Sequence, residues 1–246
     1  MADSNITYVS YIVYSPDDRF PIEKRIEWMK PLLNLDINLI LFADNAYMQK
    51  LPPTRNKTKV VPLNIGTLST FKQIRRVHPI HLPPNRNEKK DTLSFIALMN
   101  CKPEIMHLAK PYVLTPYMAY IDAGLCKVFS NADTVKRLEK LKVKNVPLLL
   151  IPGCSAIQQV EAFPFLWKGI HWMLSGGFFI MPKTHVDEFY KLHTKALQKY
   201  LDMNAITWEV NVWASFAHEH KDRIIWYYGD HDDRMITSIP TQNILL

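Results

Sequence analysis

The chain has 246 residues, of which 48% are hydrophobic, so it is long enough to bury the core of one large domain. Its formal net charge of +7 favours anionic partners such as nucleotides, nucleic acid or an acidic membrane surface. Three cysteines without metal-type spacing exclude a disulfide-rich or zinc-ribbon class. Residues 1–15 lack a signal-peptide pattern and no apolar run approaches roughly 18–20 residues, so we expect a cytoplasmic protein with no transmembrane segment. Peripheral membrane contact stays open.

The first part of the chain alternates predicted strands and helices. Residues 7–14 are β-branched and aromatic and predict the first strand. Residues 21–33 place apolar side chains at helical spacing, and residues 37–42 and 59–63 predict the second and third strands. This alternation is typical of the βαβ units of a parallel sheet, so we expect an α/β fold.

Two arginines, Arg19 and Arg25, follow the first predicted strand. Ligands bind at the carboxyl ends of strands in such sheets, so both side chains are candidates for phosphate contacts. A solvated surface position explains them equally well. The chain has no G-x-G-x-x-G after the first strand and no Walker A motif, which argues against a classical dinucleotide-binding enzyme and a P-loop ATPase.

Residues 65–91 are basic and contain several prolines, which predicts an inserted segment with partial helix. Nucleic-acid binding would require exposed aromatic residues between the basic ones, and only Phe71 is available there. We therefore predict a solvated loop and no nucleic-acid partner.

Residues 92–109 predict a long helix that contains Pro103. Proline interrupts the backbone hydrogen bonds of a helix, so we expect Lys102 to project at a break rather than from a regular face. A lysine at that point could reach a diphosphate or a sugar hydroxyl. A helix-surface lysine is the plain alternative.

Residues 116–124, P-Y-M-A-Y-I-D-A-G, form an apolar strand that ends at Asp122, where Gly124 is expected to allow a sharp turn. A carboxylate at the carboxyl end of a buried strand is well placed to hold a divalent cation, with phosphates completing the coordination. The alternative is that Asp122 caps the helix beginning near Asn131 or closes a turn.

The second half continues the pattern. Residues 127–129 predict a short strand, residues 132–141 a helix and residues 147–152 another buried strand. Gly176 and Gly177 come directly before an apolar strand, which indicates a backbone that approaches either a ligand or a neighbouring strand closely.

Residues 183–201 and 207–217 predict two amphipathic helices, the second with Thr207 as its N-cap. Glu209 falls in the first turn, where the helix dipole favours a carboxylate. It is either a capping glutamate or a buried base that accepts a proton from an acceptor hydroxyl. Residues 223–228 predict the last strand.

Residues 229–234 follow this strand and contain His231 together with three aspartates and one arginine. Imidazole and carboxylate both suit Mn²⁺-like ions, so His231 is a candidate second metal ligand. A solvated acidic turn is the alternative.

Several stretches occur together in one order: N-C-K-P-E-I-M-H, P-Y-M-A-Y-I-D-A-G, G-G-F-F and W-E-V-N-V-W. With them, the chain resembles the HtrL/YibB-type glycosyltransferase group, whose pattern includes a K-P-E or K-P-x-L helix and a W-I-D-A-G strand end. The resemblance covers residues 7–230 and is strongest over residues 94–124 and 175–179.

The resemblance implies a single GT-A-like domain over residues 1–246, with a Rossmann-like, mixed and mostly parallel sheet flanked by helices. Its nucleotide-binding half would span about residues 1–125 and its acceptor-side half about residues 126–246. It implies an enzyme of glycan biosynthesis that moves a sugar from a nucleotide-sugar donor, with UDP favoured, to a hydroxyl of a glycan, lipid or protein. Such folds usually carry D-x-D, and here Gly124 stands where the second acid is expected, so the number of protein metal ligands stays open.

On the same basis, Asp122 and His231 would hold Mn²⁺ or Mg²⁺ against the donor diphosphate, and Asp122 would be catalytic. Glu209 would be the general base if the enzyme inverts configuration, and would orient the substrate if it retains configuration. The remaining residues implied in donor and substrate binding are Arg19, Arg25, Lys102, Ala123, Gly124, Gly176 and Gly177.

Two other classes of function stay open. A non-catalytic binding or scaffold protein of the same fold is favoured by the missing second aspartate. A metal-dependent phosphate-handling enzyme would require clustered acids, which only residues 230–233 offer.

Overall fold

Parallel strands form the centre of the molecule, in the α/β arrangement that the sequence predicts. The computed structural model describes residues 4–15, 17, 19–55, 57–157 and 165–245. Within these residues a single sheet contains seven strands: β1 (Ile6–Ile12), β2 (Asn38–Ala43), β3 (Thr58–Pro62), β4 (Tyr117–Ile121), β5 (Leu149–Gly153), β6 (Phe178–Pro182) and β7 (Ile224–Tyr228).

The sheet is mixed but mostly parallel. Its spatial order is β3-β2-β1-β4-β6-β5-β7, and β6 is antiparallel to both of its neighbours while the other adjacent pairs are parallel. The carboxyl ends of β1, β4, β5 and β7 therefore meet the amino end of β6 at one edge. This edge brings Asp122, which follows β4, next to Gly177, which precedes β6.

Helices cover both faces of the sheet. The side chains of β1 alternate between two cores, with Val9 and Tyr11 in one and Tyr8 and Ile12 in the other. Because both faces are covered, the central strands β4 and β6 are continuous apolar runs. The helices are α1 (Ile22–Leu33), α2 (Asn45–Met48), α3 (Ser69–Arg75), α4 (Leu93–Asn100), α5 (Lys102–Ala109), α6 (Ala132–Lys140), α7 (Phe165–Lys168), α8 (Val186–Leu201), α9 (Glu209–Ala217) and α10 (Arg234–Thr237).

The predicted helix over residues 92–109 is two helices, α4 and α5, which meet at Cys101. Pro103 lies in the first turn of α5, where its missing N–H has no intrahelical partner to lose. Lys102 is therefore at the break, as predicted, but it is buried inside the protein rather than exposed on a helix surface.

Two local predictions are wrong. Residues 127–129 are not a strand, because the 3₁₀ helix Leu125–Val128 covers this segment and both edges of the preceding strand β4 are already paired. Thr207 is not the N-cap of α9, which is Trp208. The Thr207 hydroxyl instead donates a hydrogen bond to the carbonyl of Leu166, 3.1 Å away.

A buried histidine in α8 makes the stability of the fold sensitive to acid. His193 is fully buried and its Nδ1 accepts a hydrogen bond from Trp213 Nε1 at 3.1 Å. Burial lowers the pKa of His193 to about 3. The unfolded chain has an ordinary histidine pKa of about 6.5 and binds the proton first, so the free energy of unfolding decreases as the pH falls below that value.

Between pH 7 and pH 5, His193 alone is expected to lower the free energy of unfolding by about 2 kcal/mol. Urea denaturation at the two pH values measures this loss. A His193→Gln variant should lose about 2 kcal/mol less than the wild type over the same interval. The same pH dependence in both proteins would contradict a neutral, buried His193.

Candidate active site

A cavity of about 370 Å³ opens at the carboxyl edge of the sheet, beside the ends of β1 and β4. The chain leaves β1 towards β2 on one side, and β4 pairs with β1 on the other. Ligands of open α/β sheets bind at such a switch point, and the volume lies in the range of small-molecule sites. All the predicted site residues line this cavity: Arg19, Arg25, Lys102, Asp122, Ala123, Gly124, Gly176, Gly177, Glu209 and His231.

Lys102 is at the centre of the polar contacts in this cavity. Its ammonium lies 2.8 Å from Glu209 Oε1, 2.9 Å from the carbonyl oxygen of Gly176 and 3.3 Å from Asp122 Oδ1. An ammonium has three hydrogens, and these three oxygens take all of them. Lys102 therefore holds protein groups in place. These close protein partners favour a positioning role for Lys102 over the predicted contact with the donor phosphates, which stays a prediction.

The environment of Lys102 favours its charged form. Burial by itself would lower the pKa of Lys102, but the charges of Asp122 and Glu209, together with their hydrogen bonds, raise it above the ordinary lysine value. The face of the Tyr120 ring adds a further favourable contact, with the ammonium 5.1 Å from the ring centroid.

Asp122 is held at the end of β4 by both its backbone and its side chain. Its N–H donates to the carbonyl of Gly177 at 2.9 Å, and the Tyr120 hydroxyl donates to Oδ1 at 2.7 Å. Burial and then the charge of Asp122 raise the pKa of Tyr120 well above its usual value, so this hydroxyl stays a donor. The helix-cap alternative is wrong, because Asn131 caps α6 with its own side chain. The Asp122 side chain is 39% exposed, and no described residue donates to its Oδ2.

Glu209 begins α9, but its side chain does not cap the helix. The carboxylate is buried and points to Lys102, so the capping alternative is wrong. Its Oε2 accepts no hydrogen bond from the described residues, and Glu209 lines the cavity. This oxygen is therefore the one that can meet a substrate hydroxyl.

The paired glycines make room for these side chains. A Cβ on Gly176 would lie 2.2 Å from Glu209 Oε1, and one on Gly177 would lie 3.4 Å from Asp122 Oδ2. The close approach that the sequence indicates is thus, at Gly176, an approach to the ion pair of Lys102 and Glu209. Gly124 differs, because its φ of −101° is open to any residue and the expected glycine-specific turn does not occur there.

Gly176→Ala is expected to lower the free energy of unfolding by about 1–3 kcal/mol, because the new methyl group displaces the buried Glu209 carboxylate. Gly124→Ala is the matched control. Its Cβ would lie 3.6 Å from the nearest atom, on Trp28, and its effect should stay within about 0.5 kcal/mol. Thermal denaturation of both variants measures the difference, and equal losses would contradict the described packing.

Four cations border the cavity without belonging to the Lys102 network: Arg19, Arg25, Lys90 and Lys127. Burial is the largest cause of a lowered pKa at Lys127, Asp122 acts against it, and Arg25, Arg19 and Lys90 lower the pKa further. Lys127 is therefore close enough to the other three cations to be repelled by them, and an anion placed beside Lys127 would offset that repulsion.

Lys90 and Lys127 were not predicted as site residues from the sequence. The available signal for Lys127 was its place soon after the strand end at Asp122. The strand-like pattern of residues 127–129 hides that signal. Lys90 belongs to the segment that was predicted as a solvated loop, and it contacts the ring of Phe95 at 5.3 Å.

His231 lies at the same cavity but belongs to a different cluster. Its Nδ1 is 3.2 Å from Asp230 Oδ1, and the Cys154 Sγ lies 3.5 Å from that same oxygen. One ligand atom from each of these three residues lies within 4.8 Å of the others. Trp172, which has a φ of 47°, packs its ring edge against His231 with 4.4 Å between centroids. Strain at a bulky residue beside a cavity is common at functional sites.

The residues around Asp122 do not fit a Mn²⁺ or Mg²⁺ ion held by the protein. Such ions prefer several oxygen ligands, and Asp122 Oδ1 is already bound by Tyr120 and paired with Lys102. Only Oδ2 remains, and the described partners of His231 are Asp230 and Cys154 rather than Asp122. We therefore derive no catalytic step from the predicted metal ion between Asp122 and His231.

Comparisons with protein-family models and with curated proteins found no match for this chain. The resemblance to the HtrL/YibB-type group stays a prediction. Among the helices of the described segments, none combines the length and apolar character that crossing a bilayer requires.

Proposed function

We propose that the protein is a glycosyltransferase that uses a nucleotide-sugar donor. The observation that carries the proposal is the cavity at the β1–β4 edge, whose lining contains both cationic side chains and the Asp122–Lys102–Glu209 network. A nucleoside diphosphate sugar offers the matching groups, because it is anionic at the diphosphate and carries hydroxyls on the sugar.

In this proposal the donor diphosphate lies among Arg19, Arg25, Lys90 and Lys127. Guanidinium and ammonium groups form charge-assisted hydrogen bonds with phosphate oxygens and stabilise the charge that develops on the leaving diphosphate. Asp122 Oδ2 accepts a hydrogen bond from a hydroxyl of the donor. The aromatic pair Phe20 and Trp28, whose ring centroids are 4.7 Å apart, gives the cavity an apolar wall for the base or the sugar ring.

The transfer step breaks the bond between the anomeric carbon and the diphosphate oxygen, and the electron pair leaves with the diphosphate. The acceptor oxygen bonds to the same carbon and loses its proton to Glu209 Oε2. General-base help of this kind typically contributes about 10²–10⁴-fold to the rate. Lys102 positions both carboxylates and does not contact the donor.

A thermal-shift screen of UDP, GDP and CMP and of their sugar conjugates tests the proposal, each with Mn²⁺ and with EDTA. A ligand that binds only the folded state at about 100 times its dissociation constant stabilises it by about 2.7 kcal/mol, or roughly 5–10 °C in Tm for a chain of this size. We expect one diphosphate nucleotide to give such a shift. If no nucleotide raises the Tm, either with Mn²⁺ or with EDTA, the proposed donor site is contradicted.

A further inference from the structure

Three oxygens surround the Lys102 ammonium in the way that ligands surround a hard metal ion. Two come from carboxylates, Glu209 Oε1 and Asp122 Oδ1, and one is the main-chain carbonyl of Gly176. Carboxylate and carbonyl oxygens are the groups that bind divalent cations in proteins. Here a cation of the chain itself occupies the space between them, and Lys102 is only 1% exposed.

We infer that the Lys102 ammonium takes the place of a divalent metal at Asp122, so that the donor binds without a metal ion. This inference rests on the proposed function for the identity of the donor. Asp122 and Glu209 together carry two negative charges, and Lys102 compensates one of them within hydrogen-bonding distance of both.

The negative charge of the donor phosphates must then be neutralised by groups other than a metal ion, and the cavity contains cationic side chains that can do so. Arg19, Arg25, Lys90 and Lys127 border it, and Lys127 lies 3.8 Å from the ring centroid of Trp28 rather than in an ion pair with a described carboxylate. A diphosphate among these side chains is held by fixed positive charges of the protein. The ligand class is thus a nucleoside diphosphate bound in metal-free form.

The first test compares nucleotide binding with and without metal. UDP, with GDP as a second probe, should raise the Tm of the wild-type protein equally in EDTA and in Mn²⁺. Mn²⁺ alone is also titrated into the wild type and into Asp122→Asn, while the EPR signal of the free ion is followed. The two proteins should bind the same amount of Mn²⁺. A nucleotide shift that requires Mn²⁺, or Mn²⁺ binding that is lost in Asp122→Asn but kept in Asp230→Asn, would overturn the inference.

The second test removes the internal cation. Lys102→Met leaves two carboxylates and a carbonyl oxygen facing one space, so Mn²⁺ should bind this variant and raise its Tm by several degrees more than that of the wild type. The double variant Lys102→Met/Glu209→Gln is the matched control, because it keeps the charge balance and retains only one carboxylate. It should fold and show no Mn²⁺ response. A response as large in the double variant, or no response in Lys102→Met, would contradict the inference.

These experiments distinguish a failure of the proposed function from a failure of the inference about Lys102. If neither nucleotide binds with or without Mn²⁺, the proposed function fails, while the Mn²⁺ titrations of the wild type, Lys102→Met and the double variant still decide the role of Lys102. If a nucleotide binds only with Mn²⁺, the proposed function survives and the inference fails.

Discussion

Replacing Lys102 by methionine is expected to lower the free energy of unfolding by about 3–5 kcal/mol when metal ions are chelated. The substitution keeps most of the apolar stem but leaves the buried Glu209 carboxylate facing Asp122 with no cation between them. Removing one partner of a buried ion pair is far more harmful than removing a surface pair, because the remaining charge stays away from water. Urea denaturation in EDTA measures the loss.

Lys110→Met provides the comparison. Lys110 also pairs with a carboxylate, Asp187, but both side chains are partly exposed, at 32% and 41%. Solvent and salt screen such a pair, so its loss should be about 1 kcal/mol or less. If Lys102→Met were no more harmful than Lys110→Met, the buried network would not be holding the site together.

The second large effect concerns nucleotide affinity. Lys127→Met removes one of the cations at the cavity and should weaken nucleoside diphosphate binding by about 10–100-fold, since a hydrogen bond to a charged group contributes about 1.5–3 kcal/mol. Isothermal titration with the nucleotide that the screen identifies gives the affinity. Folding should be nearly unaffected, because Lys127 is exposed and forms no ion pair with a described residue.

Lys136→Met is the control for this experiment. Lys136 lies on α6, is exposed and does not line the cavity. The substitution changes the net charge by the same amount, so it separates a local phosphate contact from a general electrostatic effect. Equal loss of affinity in the two variants would place the bound nucleotide somewhere other than beside Lys127.

The fold was predictable because its signals are local. The central strands β4 and β6 are buried and consist of uninterrupted apolar runs, and α1 places Ile26, Met29 and Leu33 at helical spacing. The orientation of β6 was beyond such patterns. An apolar strand has the same composition whether it runs parallel or antiparallel to its neighbours, so the antiparallel β6 needed the tertiary structure.

The sequence predicted which residues line the cavity, but not which of them contact one another. Asp122, Gly176 and Glu209 stand at the ends of strands or at the start of a helix, and those positions converge on one edge of the sheet. Which of them touch is a matter of long-range packing, since Lys102 and Glu209 are 107 residues apart. For this reason the sequence does not show that the nearest partners of Lys102 are oxygens of Glu209, Gly176 and Asp122.

The proposed activity is the transfer of a sugar from a nucleotide donor at Asp122 and its neighbours. The most direct measurement is the release of nucleoside diphosphate from a panel of UDP- and GDP-sugars, which needs no knowledge of the acceptor because water can take the sugar slowly. The wild type should release the nucleotide from one donor, and Asp122→Asn should be slower by about 100-fold or more. Asp222→Asn, at an exposed position away from the cavity, should match the wild type. No release from any donor, or an equal rate in Asp122→Asn, would contradict the account.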